Sequence, residues 1–342
     1  MGQSPDSSTY NEDGNGLPFF QGNADFGEIY PAVRMWCSEP TKIAREKDIL
    51  ISVRAPIGAL NIANCECCIG RGLAALTVNE DICAQEYLWH ALSGKADELN
   101  SKGTGSTFKA INKKTLSETE IPLPPIDEQR KIAAILDKVS DLIAKRQQQL
   151  DKLDEAVKAR FVEIFGDCYT NPHNLPIEKW NNIFSTTTGK LDSNAAVENG
   201  KYPFFTCSKE TLRINTYAFD QEALLLAGNN AAGKYDVKYY CGKFNAYQRT
   251  YVLSLKHDWS YALFRFQLED KLGYLEQQSL GGLTKYLTLK ILNELEFIVP
   301  PKEEQDKFAA FVDQIEKTKT TVSHSLEKLE TLKKALMQEY FR

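Results

Sequence analysis

The chain has 342 residues, of which 42% are hydrophobic and 25% charged, and its formal net charge at pH 7 is −5. This length is more than one ordinary domain needs, and it favours two domains of a globular protein. The negative charge argues against a protein that coats nucleic acid at any sequence, but it does not exclude a reader with a local basic surface.

The N-terminus and the cysteines favour a cytoplasmic protein. Met1-Gly2-Gln3-Ser4-Pro5 has neither the basic nor the apolar segment of a secretory signal, and no stretch is apolar enough to span a membrane. The eight cysteines are scattered, which is more typical of a reducing compartment than of a disulfide framework.

The first predicted domain, 1–124, mixes strands and helices. Strands are predicted at 48–53 and 73–78, and a helix is predicted at 86–99. Polar side chains suited to reading bases lie near these elements. Arginine is the usual bidentate reader of guanine, and glutamine or asparagine can pair with adenine in the same manner. The candidates of this kind are Gln21, Asn23, Arg54 and Arg71.

A cysteine-rich segment of the first domain raises the question of a metal. Cys65-Glu66-Cys67-Cys68 could supply two thiolates to zinc, but a closed structural site needs four ligands. Only Cys83 and His90 lie nearby, and their spacing is poor. We favour the other interpretation, a strand of small apolar residues, and expect no metal.

A flexible loop at 102–109 is a candidate for phosphate binding. Its lysines and backbone N–H groups could approach phosphate oxygens together. The alternative is a structural turn that leads into a strand at Ile121. The candidate DNA-binding residues of the loop are Lys102, Thr104, Ser106, Thr107 and Lys109.

The second predicted domain, 167–299, has the same mixed character. Strands are predicted at 223–227 and 250–255, and a helix at 260–272. Basic and aromatic residues alternate over 233–240, as expected where phosphates and bases are both approached, although period two also suits a solvated strand face. The candidate DNA-binding residues here are Lys234, Lys238, Lys243, Arg249 and Lys285.

Two segments, 125–166 and 300–342, predict long amphipathic helices. Prolines precede each helix and acidic residues occupy its first turn, as suits a helix N-terminus, and Gly166 is expected to end the first helix. Apolar residues recur every three or four positions. They are Ile132, Ile135, Val139, Leu142, Leu150, Leu153, Val157, Phe161 and Ile164 in the first segment, and Phe308, Phe311, Ile315, Val322, Leu326, Leu329, Leu332, Leu336 and Tyr340 in the second.

The helix junction is the most strongly repeated part of the chain. The segment 121–129 recurs 176 residues later as 297–305, whereas the domains match weakly. Because a lone amphipathic helix cannot bury its stripe, we expect the two helices to pair. The prediction is an α+β fold with two mixed α/β domains, joined by two long antiparallel helices that form a coiled coil, and related by a pseudo-twofold internal repeat. The alternative is that each helix folds onto its own domain.

No motif for catalysis is present in the sequence. There is no phosphate-binding GxxxxGK[ST] loop, no GxSxG elbow, no HExxH helix and no glycine-rich turn for a methyl donor. Asn171-Pro172-His173-Asn174 begins like the NPP[YF] motif of amino-methyltransferases but lacks its second proline and its aromatic residue. We therefore predict a protein that is not an enzyme and binds no cofactor of its own.

This pattern resembles the specificity subunit of type I restriction–modification systems. The resemblance rests on the proline–proline–x–x–Glu–Gln junction, which occurs twice, and on Gly2-Gln3-Ser4-Pro5 with Tyr10. It implies two target-recognition domains, each binding one half of a bipartite asymmetric DNA site. It also implies that the helices set the spacing and dock two methyltransferase subunits, which would carry S-adenosylmethionine, and that a motor-nuclease subunit joins for cleavage. The junction residues expected at the docking sites are Pro124, Pro125, Glu128, Gln129, Pro300, Pro301, Glu304 and Gln305.

One departure concerns the first domain. The second domain is preceded by 175–189, which predicts a strand region, whereas Met1 lies directly before the Gly2-Gln3-Ser4-Pro5 element. We therefore expect the first domain to be shortened at its N-terminus. The competing function is a coiled-coil scaffold with two protein-binding domains, which salt-dependent binding to a specific duplex would distinguish.

Overall fold

The computed structural model describes residues 1–105, 109–231 and 233–341. The chain divides into two compact units. Unit 1 comprises Met1–Gln148 together with the chain from Ser323 onward, and unit 2 comprises Gln149–Val322. Each unit thus contains one of the predicted domains and one half of each long helix, so both helices contribute to both cores.

In unit 1 the strands form two sheets with the orders β1-β3-β2-β7-β4 and β6-β5-β8. The strands are β1 (Tyr10–Asn11), β2 (Leu17–Phe20), β3 (Trp36–Cys37), β4 (Ile43–Ala44), β5 (Ile49–Ser52), β6 (Leu60–Ile62), β7 (Cys67–Ile69) and β8 (Leu73–Leu76). The helices are α1 (Gln85–Gly94), α2 (Ala96–Ser101), α3 (Lys113–Ser117) and α4 (Ile126–Phe165), which continues into unit 2.

In unit 2 the main sheet has the order β10-β16-β13-β15-β11-β12, and the pairs β9–β18 and β14–β17 form two small sheets of their own. The strands are β9 (Ile177–Lys179), β10 (Phe184–Thr188), β11 (Tyr202–Phe205), β12 (Leu212–Ile214), β13 (Phe219–Ala227), β14 (Asn229–Asn230), β15 (Val237–Ala246), β16 (Thr250–Leu255), β17 (Lys285–Tyr286) and β18 (Glu296–Ile298). The helices are α5 (Trp180–Ile183), α6 (Tyr261–Asp270), α7 (Leu272–Gln278), α8 (Leu289–Asn293) and α9 (Lys302–Phe341), which ends in unit 1.

The two units repeat the same strand pairings. In unit 1, β2 runs parallel to β7 with Phe20 opposite Ile69, and in unit 2, β11 runs parallel to β15 with Phe205 opposite Ala246. Likewise β5 is antiparallel to β8, and β13 is antiparallel to β16. The domains that match weakly in sequence therefore share one backbone plan, and the predicted internal repeat extends through them.

The units differ at the edge of the sheet that carries β8 or β16. β16 pairs with both β10 and β13, whereas in the described part of unit 1 β8 pairs with β5 alone. The strand predicted at Ile121 is wrong, because this segment has no secondary structure although its repeat partner Phe297 lies in β18. β18 is held by β9, while in unit 1 the following Pro122 has no N–H to donate to a partner.

The long helices pack against each other in opposite directions within each unit. In unit 2, Asp154 of α4 pairs with Lys319 of α9 at 2.7 Å, and Phe161 packs against Phe308 with ring centroids 5.6 Å apart. Residue numbers fall along α4 as they rise along α9, so the helices run antiparallel, as predicted. In unit 1 the start of α4 and the end of α9 share a cluster that includes Leu136 and Phe341.

The helices also pack on the domains, so the alternative interpretation holds in part. In unit 1, Tyr87 of α1 contacts Phe341 of α9 with ring centroids 5.2 Å apart, and it lies in one cluster with Ile132 of α4. In unit 2 the helix residues Phe161 and Phe308 belong to the same core as Trp180 of the domain. Each half-helix therefore buries apolar surface against its domain as well as against the other helix.

Two details of the predicted helices are wrong. Ile135 and Leu142 are 43% and 38% exposed, because the buried stripe follows a 3.6-residue period through Leu136 and Val139 instead. The helix predicted at 86–99 is two helices, since Lys95 between α1 and α2 has φ −94° and ψ 0°, outside the helical range. The helix predicted at 260–272 corresponds to α6, Tyr261–Asp270.

Among the described helices, none combines the length and apolar character that crossing a membrane requires.

The cysteine-rich segment forms β7, in which Cys67 and Cys68 are buried, as the strand interpretation expects. Burial raises the pKa of the Cys67 thiol to about 12. In the part of the chain that the structure describes, no group of three or more His, Cys, Asp or Glu side chains is placed to hold a metal ion.

Candidate nucleic-acid interface

In unit 1 several of the sequence candidates meet along one ladder of backbone hydrogen bonds. The N–H of Gly72 donates to Gln21 O at 3.2 Å, and the N–H of Val53 donates to Gly72 O at 2.9 Å. The N–H of Ile111 then donates to Val53 O at 2.9 Å. Four chain segments therefore meet at one edge of unit 1. They are the loop after β2, the turn before β8, the loop after β5 and the segment between α2 and α3.

The basic edge of unit 1 is defined by Arg54, Arg71 and Lys109, whose side chains are all exposed. Arg54 bridges to Ala110, and the N–H of Ala55 donates to Lys109 O at 3.1 Å. Among the described residues, no carboxylate forms an ion pair with any of these three side chains. Exposed cations without acidic partners in one place suit a polyanion such as a nucleic-acid backbone.

Unit 2 builds the same ladder from different residues. The N–H of Gly228 donates to Arg249 O at 2.8 Å, and the N–H of Leu287 donates to Gly228 O at 2.8 Å. Asn229 pairs with Tyr286. Gly228 therefore stands where Val53 stands in unit 1, and Leu287 stands where Ile111 stands. The bridge between Leu280 and Tyr286 repeats the bridge between Thr104 and Ala110.

The basic edge of unit 2 is defined by Lys234, Arg249 and Lys285. Lys234 and Arg249 are exposed and Lys285 is half-buried. A Cβ atom at Gly233 would lie 3.3 Å from Lys285 Cγ, so this glycine, with φ +71°, leaves room for the lysine stem. Within the described residues, none of the three cations forms an ion pair.

Other candidates lie apart from these edges or are already engaged. Lys102 pairs with Glu98 at 2.6 Å. Lys238 pairs with Asp236 at 2.8 Å and donates to Ser208 O.

Four further residues were predicted from the sequence to bind DNA: Asn23, Lys243, Ser106 and Thr107. Asn23 is half-buried in a short 3-10 turn beside Gln21. Lys243 lies five residues beyond Lys238 on β15, about 16 Å along the strand. Ser106 and Thr107 lie outside the described residues.

The repeated junction contains a buried glutamine in each unit. In unit 1, Gln129 is 0% exposed; its Oε1 accepts from the N–H of Ala84 at 2.9 Å. Its Nε2 donates to Ile82 O at 3.0 Å and to Pro124 O at 2.8 Å. The glutamine therefore ties the start of α4 to the start of α1 and to the chain that precedes α4.

Unit 2 repeats this arrangement at the start of α9. Gln305 is 1% exposed; its Oε1 accepts from the N–H of Ser260 at 2.9 Å, and its Nε2 donates to Pro300 O at 2.8 Å. Because both glutamines are buried and satisfied, they hold the junction together and do not face a partner. Sequence analysis identified the motif but not this role.

The other junction residues differ in exposure. Pro125, Glu128 and Pro301 are exposed, whereas Pro124 and Glu304 are half-buried and Pro300 is buried. The exposed members in unit 1 and the exposed Pro301 in unit 2 are the ones that another protein could contact.

Asn229 was absent from the sequence candidates. It occupies the place of Arg54 in the repeated ladder. Arg54 follows Val53 and bridges to Ala110 before α3, whereas Asn229 follows Gly228 and pairs with Tyr286 before α8. The weak similarity between the segment that contains β5 and the segment that contains β13 is the only signal in the sequence that could have identified it.

Comparisons with known proteins agree with this architecture. Residues 4–155 and 179–331 match the family model of the type I restriction modification DNA specificity domain. A Methanocaldococcus jannaschii protein assigned provisionally as the MjaX type I restriction enzyme specificity subunit is 44% identical over 158 residues, which cover 46% of this chain and 37% of that protein. The Escherichia coli EcoDI specificity subunit is 35% identical over 162 residues, 45% of this chain and 35% of the relative. The matches therefore span little more than a third of these relatives.

A solved structure shows the same fold. The crystal structure of the type I restriction–modification S subunit from M. genitalium is 15% identical, and it matches 100% of this chain and 92% of its own with a TM-score of 0.66.

Proposed function

The chain belongs to the type I restriction modification DNA specificity family, and on that premise we propose that each unit reads one half of a bipartite, asymmetric DNA site. The observation that carries this proposal is the ladder that occurs twice with different side chains. One backbone plan places Arg54 in unit 1 and Asn229 in unit 2 at equivalent positions. Equivalent backbone positions that carry different base-contacting side chains suit two half-sites of different sequence.

The basic edges would supply most of the affinity. Arg71 in unit 1 and Arg249 in unit 2 lie in the turns before β8 and β16. Lys109 and Lys285 lie on the segments at the other side of the same ladder. Contacts from such cations to phosphates release counterions and fix the register on the duplex. The overall charge of −5 then keeps the rest of the surface from binding DNA without specificity.

The long helices would set the spacing between the half-sites and dock two methyltransferase subunits. α4 and α9 each have 40 residues, or about 60 Å of helix. Two copies of one partner need two similar surfaces, and the junctions are the most similar parts of the repeat. Pro125 with Glu128, and Pro301 at the second junction, are the exposed residues expected to contribute.

The chemistry would belong to the partners. Adenine methylation in the cytoplasm would be carried out by the methyltransferase subunits with S-adenosylmethionine, and cleavage by a motor-nuclease subunit where one joins. In this division of labour the specificity chain contributes binding and orientation but no reacting group.

Co-expression with a type I methyltransferase subunit from the same organism tests the proposal. Methylated adenines in the host genome are mapped by single-molecule sequencing, with a catalytically inactive methyltransferase as the control. We expect one motif made of two short half-sites separated by a fixed number of unspecified base pairs. A continuous motif, or no motif above the control, would contradict bipartite reading and favour the scaffold function.

A further inference from the structure

The repeat separates the residues of the basic edges into two classes. Both units have a lysine at one equivalent position. Lys109 directly precedes Ala110, which pairs with Arg54, and Lys285 directly precedes Tyr286, which pairs with Asn229. The position of the lysine in the ladder is therefore common to both units.

Arg54 and Asn229 form the other class, with different residues at one place. Each pairs with the residue that follows the lysine, Ala110 in unit 1 and Tyr286 in unit 2. The reader and the lysine thus come from adjacent chain segments, whose Cα atoms lie about 5 Å apart across the ladder.

The two half-sites of an asymmetric site differ in bases but share a phosphate backbone. A residue that is identical in both units suits the phosphate backbone, which both half-sites share. A residue that differs between the units can suit the bases, which distinguish one half-site from the other. Lysine binds phosphate as a point charge, whereas arginine pairs bidentately with guanine and asparagine with adenine.

Resting on the proposed function, we propose that Lys109 and Lys285 bind backbone phosphates in both half-sites, that Arg54 reads a guanine in one half-site, and that Asn229 reads an adenine in the other. The side chains are available for this task. Arg54 is exposed, and among the described residues its guanidinium forms no ion pair. Asn229 is half-buried, and its side-chain amide makes no hydrogen bond within the described part of the chain.

Exchange of the two readers tests the base contacts. The variants Arg54→Asn and Asn229→Arg are co-expressed with the methyltransferase, and each methylation motif is mapped base by base. In Arg54→Asn we expect one guanine position of one half-site to lose discrimination by roughly 5- to 150-fold, with the other half-site unchanged. Asn229→Arg should affect one adenine position of the other half-site, again leaving its counterpart intact.

The unaffected half-site is an internal control for folding in each variant. If both half-sites keep every base preference in Arg54→Asn or in Asn229→Arg, the assignment of that reader is overturned. A wild-type complex without a bipartite motif would overturn the proposed function instead, so the two failures are distinguishable.

The lysines are tested by the salt dependence of binding. The purified complex with Lys109→Ala or Lys285→Ala is titrated with its own duplex at several salt concentrations. We expect weaker binding, an unchanged methylation motif, and a log–log salt slope that falls by about 0.9 for each phosphate that the variant no longer neutralises. Lys114→Ala is the matched control, because Lys114 is exposed and pairs with Glu118 at 3.9 Å. A changed base preference, or an unchanged salt slope, would overturn the phosphate assignment.

Discussion

Replacing Gln305 by leucine would remove a buried amide that joins α9 to the domain of unit 2. The substitution deletes the hydrogen bonds to the N–H of Ser260 at 2.9 Å and to the carbonyl of Pro300 at 2.8 Å. Leucine is close in size, so the main cost comes from two buried backbone groups left without partners. Each such group costs about 1–3 kcal/mol, and we expect the free energy of unfolding of unit 2 to fall by about 2–6 kcal/mol.

The assay is unfolding in urea followed by tryptophan fluorescence. Trp180 is fully buried in the core of unit 2, with its ring centroid 4.7 Å from that of Phe184, so its emission reports on this unit. A background with Trp36→Phe and Trp89→Phe removes the signal of unit 1. Gln314→Leu is the matched control, because Gln314 is exposed on the same helix, and it should change the unfolding free energy by less than about 0.5 kcal/mol.

If Gln305→Leu unfolds at the same urea concentration as Gln314→Leu, the reasoning is refuted. The buried amide would then be replaceable by an apolar side chain, and the repeated glutamine would need another explanation. Gln129→Leu in unit 1 extends the comparison, because Gln129 makes three hydrogen bonds. Its destabilisation should be at least as large.

Inserting three heptads into each long helix, after Gln148 in α4 and after Val322 in α9, should lengthen both by about 32 Å and move the methylated half-sites about 9 base pairs further apart. Their sequences should stay the same, and an unchanged spacer in methylation mapping would contradict the role of helix length. Phe308→Ala should lower the unfolding free energy by about 3–5 kcal/mol in the same urea assay, because its ring packs against three others in unit 2; a decrease below about 1 kcal/mol would show that this cluster is dispensable. Cys67 in the native protein should resist iodoacetamide at pH 8, because burial raises its pKa to about 12 and leaves about one thiolate in ten thousand. The exposed Cys241 should be alkylated in the same sample, and mass spectrometry of equal modification at both would contradict that assignment.

Sequence periodicity predicted the long helices well because a helix is a local structure. Spacings of three and four residues identified α4 and α9 to within two residues of their ends. Periodicity alone did not decide which of two adjacent apolar residues faces inward. Ile135 and Leu136 both fit a loose stripe, and packing against α1 and α9 buries Leu136.

The candidate site was less predictable, because a binding surface joins residues from distant segments. Sequence analysis identified Arg54, Arg71 and Lys109 individually by residue type and flanking pattern. It also grouped Lys238 with Lys234, although Lys238 is engaged by Asp236. Only the folded chain shows which cations have acidic partners and which remain exposed.

The sequence by itself determined the duplicated plan of this protein, its two long helices and the family to which it belongs. These properties follow from local periodicity and from a motif, Pro-Pro-x-x-Glu-Gln, that can be recognised twice without coordinates. Tertiary structure decided that the glutamine of this motif is a buried tie and that Asn229 takes the place of Arg54. The physical reason is that hydrogen-bond partners and equivalent positions depend on strand register, which pairs residues far apart in the chain and leaves little trace in local sequence.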